Sequence, residues 1–257
     1  MQYPKEFIER LHLVWGTGFL SPGGPEEVLR IVEGLDLKGA RVLDIGCGTA
    51  GPAVTLARET GARMLCVDVE DVVVARARRL VAAEGLEEQI EIRRIAPGLL
   101  PFDDDAFDVV FSKDSMLHIP DKGALFAEVF RVLRPGGTFA ASDWLAGVGA
   151  DDNPAFRRYL EVGHLDFEMA TAAQTEAAMR AAGFEQVSST NRAGWYRDLA
   201  SREVDAIEGP LRDEILRVSD PVTYETWLAA RRALRDAVKT EGLCPTHLRG
   251  IKPAGQA

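Results

Sequence analysis

A chain of 257 residues, 46% of them hydrophobic, can bury one substantial core, so a single large domain or a domain with a cap is expected. Its net charge of -10 leaves no basic stripe to release phosphate counterions, which argues against nucleic acid as a partner and favours small molecules. No stretch approaches the roughly 18 apolar residues of a membrane span, the N-terminus lacks a basic segment followed by an apolar run, and Cys47, Cys66 and Cys244 lack a C-x-x-C spacing; a cytoplasmic protein without stable membrane association, disulfide framework or zinc site is expected.

In chain order, residues 41–44 read as a short strand, and Pro52 opens the next helix, which Gly61 ends. Residues 64–68 form a second apolar run closing on an acid. A helix follows from about Asp71, with Val72, Ala75, Leu80 and Ala83 on its apolar positions and Gly85 at its end. Residues 90–95 and 107–112 read as the third and fourth strands, the latter preceded by the polar turn 103–105. Asp121 can cap a helix whose Leu125, Phe126, Val129 and Val132 face inward, and Pro135-Gly136-Gly137 stops it before a strand over 138–142. This alternation predicts a parallel α/β sheet with right-handed crossovers, in which ligands sit beyond the carboxyl ends of the strands. Asp44, Asp68, Lys113, Asp114 and Asp143 all fall there. Farther on, residues 152–168 read as a helical insertion covering the site, 171–182 as a capped helix ending at Gly183, and 184–190 as a strand. A helical stretch over 224–240 then leads to a final strand over 247–252.

Gly46, Gly48 and Gly51 satisfy G-x-G-x-x-G, a strand-to-helix turn that commonly cradles a pyrophosphate. Asp44, two residues earlier at the end of the strand, would repel such a dianion by about 1 kcal/mol or more and attract a cation instead. S-adenosylmethionine, with a sulfonium and an ammonium against one carboxylate, suits an acid at that position better than a dinucleotide does. Asp68, twenty residues past Gly48, can accept hydrogen bonds from both ribose hydroxyls or serve as a helix cap. Cys47 reads as a small residue in the turn. The run 103–105 has no nearby His or further carboxylate to complete a ligand set, so no metal is expected. His12 and His247 read as structural or exposed; His164, in the insertion, is left open.

The run Asp44-Ile45-Gly46-Cys47-Gly48, the acid Asp68 and Leu133-Arg134-Pro135-Gly136-Gly137 resemble the S-adenosylmethionine-dependent class I methyltransferases over residues 25–190. Gln2-Tyr3, the segment from Phe19 to Gly24, and the segment from Phe111 to His118 resemble, more narrowly, the phosphoethanolamine N-methyltransferases. The resemblance implies a Rossmann-like, seven-stranded, mostly parallel sheet flanked by helices, with an N-terminal helix and a helical lid over the site. One domain over 1–257 would then comprise an N-terminal cap (1–35), a donor-binding core (36–145), a lid (146–170) and a C-terminal part (171–257). It further implies Tyr3 and His118 as the catalytic pair, and donor contacts from Leu20, Ser21, Asp44, Gly46, Cys47, Gly48, Asp68, Val69, Ala96 and Lys113. Gln2, Asp114, Trp144 and Tyr159 would contact the acceptor. Ala96 replaces an acid that in the family contacts the adenine amine.

The chemistry agrees with that pairing. An amine attacks a sulfonium methyl through its free lone pair, so a base must take its proton; His118, ordinarily near pKa 6.5, can do so directly or through Tyr3, while Asp114 holds the ammonium. The family grips phosphate with tyrosines, an arginine and a lysine. Here only Tyr159 matches, whereas Trp144, Gly163, Leu165 and Ala230 replace the other members, and losing such charge-assisted donors weakens phosphate binding. Arg157, Arg158, Arg192, Arg197, Arg231 and Arg232 either rebuild an anion site or form a solvated face. The expected function is methyl transfer from S-adenosylmethionine to a small amine, a phosphobase such as phosphoethanolamine or an amino-acid or betaine-type amine. O- or S-methylation of a small metabolite and a non-catalytic donor-binding module are the alternatives. A monomer or weak homodimer is expected.

Overall fold

The computed structural model describes residues 4–163 and 169–255; the expectations placed on Gln2, Tyr3, His164 and Leu165 lie outside the described residues. Seven described strands form one sheet: β1 (Arg41–Ile45), β2 (Arg63–Asp68), β3 (Ile90–Arg94), β4 (Phe107–Lys113), β5 (Leu133–Ala146), β6 (Glu185–Asn191) and β7 (Leu243–Ile251). Their order is β3-β2-β1-β4-β5-β7-β6, parallel throughout except that β7 runs antiparallel to β5 and β6. The chain steps outward from β1 through β2 and β3, then returns to lay β4 on the other side of β1. That reversal opens a crevice at the carboxyl ends of β1 and β4, where such sheets receive ligands.

Period-two alternation sends Val42, Cys66, Val109 and Phe111 to one face of the sheet and Leu43, Val67, Val110 and Phe139 to the other. Both faces are covered, so four of the five β1 residues are buried, each apolar side chain contributing about 1.5–3 kcal/mol. The helices are α1 (Lys5–Trp15), α2 (Gly24–Ile31), α3 (Gly51–Thr60), α4 (Asp71–Ala83), α5 (Lys122–Val132), α6 (Pro154–Gly163), α7 (Ala172–Ala181), α8 (Ala193–Glu208), α9 (Arg212–Arg217) and α10 (Pro221–Lys239). Their ends follow the local chemistry. Pro52 lies in the first turn of α3 and Gly61 closes it, Asp121 accepts from the Ala124 N–H at 2.8 Å, and Thr171 with Gln174 forms a reciprocal capping box.

The structure corrects several expectations. In α4 the buried face is Val73, Val74, Ala77 and Val81, one register away from the expected Val72, Ala75, Leu80 and Ala83, because the helix is rich in apolar residues on adjacent positions and the sheet selects the stripe. The last strand begins at Leu243, ahead of the expected 247, with Pro245 paired opposite Trp144. The Pro135-Gly136-Gly137 turn is held inside β5 by Gly136 N–H donating to Lys252 O and Lys252 N–H donating to Gly137 O, both at 2.9 Å. Helices α8 and α9 were not anticipated, since charged residues interrupt their apolar face.

These helices build the roof. Leu11 of α1 packs with Val204, Ile207, Ile215, Trp227 and Leu228, joining the N-terminal helix to α8, α9 and α10. Leu117, Trp144, Tyr196 and Leu234 form a neighbouring cluster against which Tyr159 packs. Beside it, the buried Glu27 of α2 accepts two hydrogen bonds from Arg192 at 2.9 Å and lies 2.7 Å from His247 Nε2, which ties α2 to the far edge of the sheet. His247 is thus structural. His12 is half-buried, its Nε2 3.1 Å from Thr49 Oγ1 beside the glycine turn.

Candidate active site

The floor of the crevice is the turn after β1. Gly46 and Gly48 have φ of +72° and +55°, and the Gly46 and Cys47 N–H groups donate to Val67 O at 2.9 and 3.0 Å. Gly51 has a different reason: its N–H donates to Gly18 O at 2.9 Å, and a Cβ there would meet that oxygen at 2.6 Å. The third glycine therefore admits the loop after α1. That loop brings Leu20 over the turn, where a Cβ on Gly48 would meet Leu20 Cδ1 at 3.1 Å. Asp68, at the end of β2, accepts from Gly48 N–H at 3.0 Å and from Glu70 N–H at 3.1 Å. It therefore steadies both the glycine turn and the segment leading into α4, and burial raises its pKa despite those bonds. Val69 follows it as an exposed residue, and Ala96 is exposed just past β3, where Ile95 N–H donates to Asp68 O at 3.0 Å.

Asp44 is 1% exposed, and its Oδ2 has no hydrogen-bond partner among the described residues. Desolvation, then the nearby Asp68 charge, pushes its pKa up to about 8. Burial thus favours the protonated form of Asp44 over the standing negative charge assumed from the sequence. A cation within about 4–6 Å would draw its pKa back down by about 1–3 units, so this acid ionises with the arrival of positive charge. The thiols of Cys47 and Cys66 meet beneath it, and both titrate above the ordinary range; Cys47 is raised by its hydrogen bond with Cys66 and then by burial, Cys66 chiefly by burial.

On the β4 side, Lys113 Nζ donates to Ser21 Oγ at 2.6 Å, Pro22 O at 2.9 Å and Asp114 Oδ2 at 2.7 Å. Asp114 accepts from Ser142 Oγ at 2.8 Å through its other oxygen, and its backbone is left-handed at φ +55°. Both residues are thus engaged within the protein, and they lock the loop before α2 onto β4. Ser112 and Ser115, which the sequence reading passed over, each donate to Ile45 O, at 2.8 and 2.9 Å. Their S-x-x-S spacing after an apolar strand was the available signal.

His118 ends a short 3-10 turn (Met116–His118) whose Leu117 N–H donates to Asp143 Oδ1 at 3.2 Å. The imidazole reaches solvent on one side. Desolvation on the other, then the charge of Lys122, lowers its pKa, so the free base prevails at neutral pH. Asp143 is 1% exposed, and burial pushes it up to about 7. Trp144 is buried edge-on against Tyr196, ring centroids 5.1 Å apart, as part of the core.

A cavity of about 410 Å³ opens between α1, α6 and α10, lined by Tyr159, Gly163, Ala230 and Arg231 together with Arg10 and Trp227. Three of the compared acceptor positions, Tyr159, Gly163 and Ala230, therefore share one cavity. Of the six arginines considered from the sequence, only Arg231 lines it: Arg192 is bound to Glu27, Arg232 to Glu208, and Arg157, Arg158 and Arg197 are exposed. Arg10 was missed, its sole signal being a cation three residues after Phe7 on an apolar helix. Among the described residues no group of three or more His, Cys, Asp or Glu could hold a metal ion.

Residues 42–137 match the family model of a methyltransferase domain. Over 209 residues the chain is 33% identical to phosphoethanolamine N-methyltransferase 3 of Arabidopsis thaliana, a match covering 81% of this chain and 42% of that protein. It is 32% identical over 221 residues to a sterol 24-C-methyltransferase of Aspergillus fumigatus, covering 81% of this chain and 56% of that one. The chain thus spans about half the length of these curated relatives. Among solved structures, phosphoethanolamine N-methyltransferase 2 of Haemonchus contortus, in complex with phosphomonomethylethanolamine and S-adenosylhomocysteine, superposes with a TM-score of 0.90 at 24% identity, covering 98% of this chain and 59% of that one. By the family match, residues 42–137 carry a methyltransferase domain, and the sheet around it shares its fold with that solved structure.

Proposed function

We propose that this chain is an S-adenosylmethionine-dependent N-methyltransferase acting on a small amine, either a phosphobase or an amino-acid-type amine. The observation that carries the reading is Asp44, a buried carboxyl with an unpartnered oxygen beside a glycine turn. Such a group fits a cationic nucleoside, because the cation offsets the cost of ionising the acid. Asp68 would hold the ribose hydroxyls, Gly46, Cys47 and Gly48 would leave room for the donor's close approach, and Leu20, Ser21, Val69, Ala96 and Lys113 would border it. When bound, the donor supplies an electrophilic methyl group on sulfur. The chain's own work is to hold the amine, remove its proton and exclude water. His118 would accept the proton, with Tyr3 as its partner across the acceptor, and Gln2, Asp114, Trp144 and Tyr159 would shape the acceptor's surroundings. Because Asp114 is already bonded to Lys113 and Ser142, its part would be to fix the wall beside the acceptor.

Residues 1–35 would act as a cap, 36–145 as donor core, 146–170 as lid and 171–257 as the remaining support, within one domain; the packing of α1 on the C-terminal helices supports a shared roof. A monomer or weak homodimer in the cytoplasm is proposed, and no described helix is long and apolar enough to cross a membrane. Calorimetric titration with S-adenosylmethionine and S-adenosylhomocysteine tests donor binding, and a mass-resolved screen of amines, phenols and thiols with labelled donor tests the acceptor atom. Uptake of NAD or FAD with indifference to both sulfur nucleosides overturns the reading. Methylation of phenols or thiols alone overturns the assignment to nitrogen.

A further inference from the structure

We infer that the cavity between α1, α6 and α10 is a binding subsite for the carboxylate tail of the acceptor, with Arg10 as the residue that selects it. The inference rests on the small-amine reading above and names the class of amine. Arg10 is 7% exposed, and its Nε is buried without a hydrogen-bond partner among the described residues. Its guanidinium stands 5.5 Å from the Phe7 ring centroid and 5.6 Å from that of Trp227, contacts that hold a cation in place without consuming its N–H donors. Buried guanidinium groups are ordinarily saturated by hydrogen bonds, so one packed between rings at a cavity wall fits an arriving anion.

The charge balance selects the type of anion. Arg231, the second guanidinium on the cavity, donates to Glu203 Oε2 at 2.8 Å and to Tyr196 Oη at 2.9 Å, and its Cζ lies 4.9 Å over the Trp15 ring. Its charge is therefore met by Glu203, although its Nε too is buried and unpartnered. Arg10 makes no ion pair within 4 Å among the described residues, and the fields of Glu6 and Asp220 temper its charge. A single guanidinium already tempered by two carboxylates suits at most one negative charge; a phosphate dianion would leave one charge or more unmatched in a half-enclosed space. Gly163 and Ala230 add no cation to the same wall. The cavity also adjoins the catalytic side: Leu234 and Tyr159 share an apolar cluster with Leu117, the neighbour of His118. On this inference, an amine whose nitrogen reaches His118 would extend its carboxylate past this shared cluster toward Arg10.

The test uses the full chain loaded with S-adenosylhomocysteine for binding and with labelled S-adenosylmethionine for turnover, and the probes N-methylglycine, β-alanine, phosphoethanolamine and ethanolamine. At least one carboxylated amine should bind and react with a KM well below that of ethanolamine. Arg10→Met should raise that KM about 30-fold or more while kcat changes little, and Arg10→Lys should recover part of the loss. Unchanged affinity of the variants for S-adenosylhomocysteine shows that they are folded. An unaltered KM in Arg10→Met, or an Arg10-dependent preference for phosphoethanolamine over both carboxylated amines, overturns the inference. Arg10-dependent binding of a carboxylated amine without methyl transfer supports the subsite and overturns the proposed reaction instead.

Discussion

Replacing Asp44 by Asn should make the ligand-free protein markedly less sensitive to rising pH between about 4 and 8. The Asp44 carboxyl titrates at about 8 in the folded protein against an ordinary 3.8. The folded state therefore holds this proton more tightly than the unfolded chain, and stability falls as pH rises between those two values, at about 1.4 kcal/mol per pH unit. Below pH 3.8 the acid costs nothing; at pH 7 it costs about 4 kcal/mol, and above about 8 the penalty is constant. Urea unfolding of wild type and Asp44→Asn should thus show a stability difference that moves by about 3 kcal/mol, in favour of the variant, between pH 5.5 and 7.5. Subtracting the variant cancels the other buried acid, Asp143, which titrates at about 7. Donor binding should release close to one proton near pH 7 in wild type, seen as a dependence of the calorimetric heat on the buffer's ionisation enthalpy, and less in the variant. A stability difference that stays constant over this interval would refute the argument that burial, rather than a protein cation, governs Asp44.

Three further outcomes follow from the geometry. His118→Ala should lower kcat about 100-fold or more at neutral pH with little change in donor affinity; because burial and then Lys122 depress the imidazole pKa, wild-type activity should fall only below the ordinary histidine range, and Lys122→Gln should shift that acid limb upward. Gly51→Ala should cost about 1–3 kcal/mol, because the new methyl meets Gly18 O, and calorimetric scanning should register a Tm lowered by about 2–4 °C per kcal/mol. Burial raises the Glu27 pKa, but hydrogen bonds from His247 and Arg192 draw it down to about 2, so this clamp stabilises the fold above pH 4.5 and is lost progressively toward pH 2. Glu27→Gln should remove about 3 kcal/mol at pH 7 and little near pH 2, as measured by urea unfolding at both.

The half of the sheet around the glycine turn was legible because its signals are local. Gly46 and Gly48 demand positive φ, Pro52 and Asp121 mark helix starts, and β1 and β4 are apolar runs that can only be interior strands. What escaped was decided by tertiary contact. Gly51 looked like part of a ligand cradle but is small to admit the Gly18 carbonyl, a partner 33 positions away in a loop with no pattern of its own. Asp44 looked like a fixed charge, and only its burial beside Asp68 pushes its pKa up to about 8. Helix α8 was hidden because its inward face includes Glu203, a charge that makes sense only once Trp15, Tyr196 and Arg231 converge on it. Arg10 was hidden for the complementary reason, since a lone arginine on α1 gains meaning only from the rings that pack against it.

The antiparallel insertion of β7 between β5 and β6 also bears on how the protein is made. Strand β6 ends at Asn191 and β7 begins at Leu243, so β6 leaves the ribosome some tens of residues before its sheet neighbour among the described strands exists, a wait of about 3–10 s at ordinary translation speed. Throughout that interval β5 presents an unpaired, largely apolar border, the kind of surface on which nascent chains recruit chaperones or stick to one another. Slowing translation after residue 191 should therefore lower soluble yield, whereas the mature protein, with that border zipped shut on both sides of β7, should show no such liability.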